Sequence, residues 1–136
     1  MEIEKVGHGF EALIPSADLT FISKDVSKSN GATSLQESLD FFKAKMGQGS
    51  MLVCTWGDQG ASGIDRNGQV FHSAARPPSK IVDTLGAGDT FTASVIASLI
   101  RGLAFDKALD FGCAMAGVKI GQRGFANLTK HHLFLS

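Results

Sequence analysis

The sequence predicts an α/β fold, and three stretches carry that reading. Met51-Leu52-Val53-Cys54-Thr55 is a continuous apolar run, the pattern of a strand in a parallel sheet covered on both faces. Leu35, Leu39, Phe42 and Met46 recur at i, i+4, i+7 and i+11, which is one apolar helix face. Gly86-Ala87-Gly88 sets three small residues directly ahead of an apolar segment of helical period, a loop opening into a helix. Strand and helix signals therefore alternate along the chain, as α/β folds require.

Length and composition fit that class. The 136 residues suit one domain with one core. With 43% hydrophobic and 19% charged residues the chain is globular rather than disordered. Its 13 basic and 13 acidic residues cancel, so no basic surplus points to nucleic acid or an anionic membrane. No apolar run approaches the ~20 residues that span a bilayer, and Met1-Glu2-Ile3-Glu4-Lys5 has neither the basic flank nor the apolar core of a signal peptide. Cys54 and Cys113 lack metal-ligand spacing and lie in apolar surroundings. They read as two buried thiols in a reducing cytoplasm.

Taken in order, the elements begin with Val6, Phe10, Leu13 and Ile14, a stripe that predicts a short amphipathic helix over 4–14, weakened by Gly7 and Gly9 and ended by Pro15. Leu19-Thr20-Phe21-Ile22 reads as a short buried strand. Ser34-Leu35-Gln36-Glu37 matches a capping box at the start of the helix reaching Met46. After the 51–55 strand come Gly57 and Gly60, which let backbone approach a ligand, while Thr55 offers a hydroxyl to a phosphate or ribose. The alternative there is an ordinary loop. Arg66-Asn67-Gly68 predicts a hairpin between 61–65 and 69–72, with His72 structural or at the surface. Pro77-Pro78 makes a stiff connection, and Ile81-Val82 provides a short strand. A helix from Thr90 to Arg101 buries Phe91, Val95, Ile96 and Leu99 and ends at Gly102. A second, from about 106 to 120, carries Leu109, Gly112, Cys113, Ala116 and Ile120 on one face. No repeat, heptad or low-complexity tract occurs.

The chemistry concentrates at 83–91. Helix-start amides lack intrahelical partners and carry the positive end of the helix dipole. A phosphate oxygen can therefore dock on Gly86, Ala87 and Gly88, and Asp89 stands beside it as a proton acceptor for an attacking hydroxyl. A plain tight turn with a dipole-compensating aspartate fits the same residues. No Gly-Lys-Ser/Thr follows, and Phe91 takes the place of a third fingerprint glycine.

Asp83-Thr84-x-Gly86-Ala87-Gly88-Asp89-x-Phe91 resembles the second signature of the ribokinase-like (PfkB) family of sugar and nucleoside kinases. Ser23-Lys24-Asp25-Val26, Val53-Cys54-Thr55-Trp56 and the stretch from Phe111 to Phe125 resemble its fructose-phosphorylating, ketohexokinase-type branch. The resemblance runs to about residue 126, leaving 127–136 as a divergent tail without an assigned role. It implies a three-layer, Rossmann-like α/β fold of which this chain is the C-terminal, nucleotide-binding half. It also implies ATP-dependent phosphoryl transfer to a small sugar, with fructose favoured and ribose, adenosine or another hexose as alternatives.

The resemblance assigns residues as well. Asp89 becomes the base toward the sugar hydroxyl, with the 86–88 amides holding the transferring phosphoryl. Thr55, Gly57 and Gly60 match a motif of the ATP site, Gly112, Cys113 and Ala116 become the adenine wall, and Lys24 faces either phosphates or solvent. Mg²⁺ is implied with ATP, held largely through water. A monovalent cation such as K⁺ is implied near Asp83, Thr84, Gly121 and Gly124. Many relatives carry Asn-x-x-Glu for metal and phosphates where this chain has Ser23 and Val26, so that motif is absent. Relatives are roughly twice as long, and their N-terminal half supplies most sugar contacts and a lid that also dimerises. The chain is accordingly expected to be a fragment or short isoform and a poor kinase alone, or else a non-catalytic nucleotide-binding module that pairs with a longer partner.

Overall fold

The structure is a computed structural model that describes residues 1–3, 9–128 and 130. It divides into two compact units, Met1–His72 and Ser73–Ser136. The first holds strands β1 (Glu2–Ile3), β2 (Leu19–Ile22), β3 (Met51–Thr55) and β4 (Ala61–Ile64), with β5 (Val70–Ser73) at its end, in the spatial order β1-β2-β3-β4-β5. The β1, β2 and β3 strands run parallel, whereas β4 returns antiparallel to β3. Predicted strands 19–22 and 51–55 form with those bounds.

Register explains the core. Ile22 lies opposite Cys54, and Leu52 opposite Ile64, so their side chains share one sheet face. Helix α2 (Leu35–Lys43) lays Leu35, Leu39 and the fully buried Phe42 into the same cluster. Full burial of a side chain that size is worth about 2–3 kcal/mol. On the opposite face Phe21 and Val53 are buried too, which is why β3 has no polar alternation. Cys54 is inert: burial pushes its thiol up to about 12.

Several expectations shift. The 10–16 stretch is a 3-10 helix that contains Pro15, and of its apolar residues only Ile14 is buried, while Phe10 and Leu13 face out. Gly9, at φ 68, breaks helical geometry just ahead of it. Residues 4–8 of the predicted helix lie outside the described residues. Residues 24–29, for which the sequence predicts no element, are helix α1 (Lys24–Ser29), capped by the Ser23 hydroxyl accepting from the Val26 amide at 3.3 Å. At the capping box the Ser34 hydroxyl accepts from the Glu37 amide at 3.1 Å. The Glu37 carboxylate reaches one residue further back, to the Thr33 amide and hydroxyl. The hairpin turn forms at 65–68, where the Gly68 amide donates to the Asp65 carbonyl at 3.0 Å and only Gly68 has positive φ. It is thus a turn with a left-handed glycine, not the Asn-Gly type with two positive φ angles.

The second unit is built on α3 (Ala87–Ile100) and α4 (Phe105–Ile120). The α3 helix ends in a Schellman motif, Gly102 N–H to the Leu99 carbonyl and Leu103 N–H to the Ser98 carbonyl, both 3.0 Å. Its buried face is Thr90, Phe91, Ser94, Val95 and Ser98. Ile96 points outward and Leu99 is half-buried, a correction to the predicted face. A helix apolar on most sides leaves its orientation undetermined by pattern. Ile81 and Val82 form no strand: the Val82 and Asp83 amides both donate to the Ile120 carbonyl, at 2.8 and 3.1 Å, and both apolar side chains are exposed.

Candidate active site

Each unit carries its own share of the predicted residues. In the first, Lys24 opens α1 and places its ammonium 3.8 Å from the Asp58 carboxylate and 5.6 Å over the Trp56 ring. Neither partner was singled out from the sequence. Ser23 caps α1 and Val26 is fully buried, so these two positions serve the fold. The Thr55 hydroxyl points at the Ile22 carbonyl across a long 3.5 Å. Gly57 and Gly60 sit at φ 56 and 84, a region L side chains rarely enter. Their loop closes on itself, with Trp56 N–H to the Gly60 carbonyl at 2.8 Å and Gly60 N–H to the Gly57 carbonyl at 3.1 Å. His72 pairs with the Ser62 hydroxyl at 2.9 Å, the structural role predicted for it.

In the second unit the helix begins at Gly86, whose φ of 76 is left-handed and whose Cα faces the Phe125 ring so closely that a Cβ would collide with it. Thr90 N–H closes the first helical bond onto the Gly86 carbonyl at 3.0 Å. Ala87 N–H is already engaged by the Thr84 carbonyl at 3.2 Å. Among the described residues the Gly88 and Asp89 amides have no acceptor. Of the three amides foreseen for a phosphate, Ala87 is taken within the chain, while Gly86 has no acceptor among the described residues either. Gly88 differs from Gly86 in kind, because its φ is not positive and a Cβ there would meet nothing within 4 Å. Asp89 is exposed beside it, in the first turn, on the rim of an open cleft of about 650 Å³ whose walls include Thr90, Ser94, Phe111, Met115 and Phe125.

Asp83 anchors the loop before that helix. Its Oδ1 accepts from the Leu85 amide at 3.0 Å, and its Oδ2 from Lys119 at 3.0 Å and from the Gly124 amide at 3.4 Å. The Lys119 hydrogen bond, then the Leu85 amide, hold this carboxyl below the usual carboxylate range. Lys119 is fully buried and also donates to the Asp83 carbonyl at 3.1 Å. Sequence reasoning missed it, placing Ile120 on the buried face instead. A lysine three residues past Ala116, within a stripe of small residues, was the available signal. Of the other residues foreseen around a cation, Thr84 uses its carbonyl on Ala87, and the Gly121 amide caps α4.

The foreseen adenine wall is mixed. A Cβ on Gly112 would press on Val95 and Phe91 of α3, so helix packing already accounts for that glycine. Cys113 is buried, its thiol 3.7 Å from the Ser73 carbonyl. Ala116 is half-exposed.

An aspartate one residue past a glycine with an open amide, at a helix start, is an arrangement suited to phosphoryl transfer. The chain belongs to the pfkB family of carbohydrate kinases, whose pattern matches residues 6–131. It is 45% identical to ketohexokinase from Mus musculus over 125 residues, 92% of this chain and 42% of that protein. It is 36% identical over 81 residues to the bifunctional protein HldE from Nitrobacter hamburgensis, 60% of this chain and 16% of that one. Among solved structures it resembles a probable sugar kinase from Rhizobium etli CFN 42, with TM-score 0.77, 23% identity and coverage of 91% of this chain and 38% of that chain. It also resembles Arabidopsis thaliana ribokinase complexed with ribose and ATP, with TM-score 0.75, 18% identity and coverage of 93% and 43%. The structural likenesses establish a ribokinase-like α/β fold. The chain spans about two fifths of the length of the mouse relative. No helix among the described residues is long and apolar enough to cross a membrane.

Proposed function

We propose that this chain is the C-terminal, nucleotide-binding half of an ATP-dependent sugar kinase, with fructose as the favoured acceptor. The observation that carries the reading is the helix start itself. Two unpartnered amides, Gly88 and Asp89, lie at the positive end of α3 beneath a glycine that nothing in the chain's own packing requires. They would donate to phosphoryl oxygens as negative charge develops there. Asp89 would accept the proton of the sugar hydroxyl while the new oxygen–phosphorus bond forms and the bond to the departing ADP breaks. Lys24, Thr55, Gly57 and Gly60 are proposed for the nucleotide, with Cys113 and Ala116 at the adenine. Gly112 is the weakest of that set, because α3 already covers it. No group of three or more His, Cys, Asp or Glu side chains gathers among the described residues. Mg²⁺ would accordingly be held mostly by phosphates and water, where it neutralises charge. Fructose rests on the 45% identity to a ketohexokinase, with ribose or adenosine as the competing acceptors.

A second reading is nucleotide binding without turnover, which the open Gly88 and Asp89 amides would serve without Asp89 acting as a base. One experiment separates the two. The purified chain is titrated with ATP·Mg by calorimetry, then given fructose and assayed for ADP. ADP release that requires fructose and disappears in Asp89→Asn supports the kinase in this chain. Binding without ADP supports the nucleotide-binding half alone. No binding by a folded chain overturns both.

A further inference from the structure

Lys119 is fully buried, and among the described residues its ammonium has one carboxylate within reach, that of Asp83 at 3.0 Å. A second proton goes to the Asp83 carbonyl at 3.1 Å, and the ring of Phe125 lies 5.3 Å away. An ammonium with three donors is thus met by two oxygens and a π face, which suits a desolvated cation. Around it the loop ahead of α3 is fixed to the end of α4. The Val82 and Asp83 amides donate to the Ile120 carbonyl, the Asp83 carboxylate takes the Leu85 and Gly124 amides, and Phe125 seats against Gly86. All of these contacts lie within four residues of the helix start or within six of Lys119.

We propose that Lys119 is a positioning residue, a built-in cation that neutralises Asp83 and sets the loop presenting the Gly88 and Asp89 amides. It takes the place foreseen for a free monovalent ion. Both Asp83 carboxylate oxygens already have donors and its carbonyl is occupied by the same ammonium. K⁺ added at Asp83 would have to displace a covalently tethered competitor. The proposal rests on the reading that those two amides receive phosphate, so its test includes an arm without nucleotide.

The full chain is prepared in choline chloride and in potassium chloride at equal ionic strength. Wild-type ATP·Mg affinity should agree within twofold between the two, and the amide resonances of Leu85, Gly88 and Asp89 should not move. Lys119→Ala removes the ammonium and leaves room for an ion. Its affinity should fall at least tenfold in choline and recover, with the wild-type resonances, when K⁺ or NH₄⁺ is added. A wild-type affinity that rises tenfold with K⁺ overturns the proposal, as does a loss in the variant that no cation restores. Should the wild-type chain fail to bind ATP·Mg, the phosphate reading fails while the resonance arm still decides on Lys119. Movement of those wild-type peaks with K⁺ defeats it, and their indifference upholds it. Should Lys119→Ala not fold in either salt, the wild-type arms carry the decision by themselves.

Discussion

Two glycine loops follow different rules in this molecule. In the loop after β3, Gly57 and Gly60 occupy positive φ and their turn is closed by its own hydrogen bonds. The chain itself needs those glycines. In the loop before α3, Gly86 is needed in the same way, by its φ of 76 and by the Phe125 ring. Gly88 is not, since its backbone is ordinary and the space above it is open. A glycine that the fold demands says little about a ligand, whereas one that the fold does not demand points outward. By that measure, 86–89 is the better candidate for contact with a ligand, and the Gly57–Gly60 turn is first a structural device.

Substitutions can break this contrast. The largest effect is expected for Gly86→Val, where left-handed backbone and collision with Phe125 combine to a cost on the order of 3 kcal/mol. Chemical denaturation should show it, and an unchanged midpoint would mean that the helix start rearranges freely. Gly60→Ala comes next. At φ 84 and ψ −135 the added methyl group should cost about 2 kcal/mol, with nucleotide affinity falling because the turn that would approach the nucleotide is displaced. Gly88→Ala is the sharpest case. Stability should hold or rise by up to about 1 kcal/mol, while ATP·Mg affinity falls about tenfold through obstruction of the open amides, a factor worth about 1.4 kcal/mol. Equal affinity would remove Gly88 from the site. Smallest is Ala116→Phe, expected to weaken ATP several-fold without unfolding the chain. No change would place the adenine elsewhere.

The sequence was legible where one local signal had no competitor. Leu19–Ile22 and Met51–Thr55 are apolar runs too short for helices, and both are strands with those bounds. The Asn67-Gly68 turn was found as a turn but not as its type, because Asn67 stays at negative φ and only Gly68 turns left-handed. Legibility failed where long-range partners decide. Ile81-Val82 looks like a strand, yet the amides of Val82 and Asp83 are taken by the Ile120 carbonyl, some forty positions away in sequence. Helix α1 depends on a single cap, the Ser23 hydroxyl, in a stretch of mixed polarity. At the candidate site, Asp89 and the open helix start follow from the 83–91 pattern. The identity of the open amides depended on whether Thr84 would accept from Ala87, which no pattern states. Lys119 was passed over because a basic residue in a last helical turn is ordinarily explained by the dipole.

The α4 helix carries a lesson for anyone who would stabilise this protein by the usual recipe of filling helical glycines with alanine. Such a change typically gains about 1 kcal/mol per position. At Gly117 the carbonyl of Arg76 crosses the helix so closely that even a methyl group has no room. At Gly112 the same group would strike Phe91 and Val95. The recipe has a vacancy only at Gly88, where the gain in rigidity would come at the expense of the open helix start. Thermal robustness and access to the helix start therefore compete for one residue, and a library screened for heat tolerance alone should drift toward chains in which the Gly88 amide is covered.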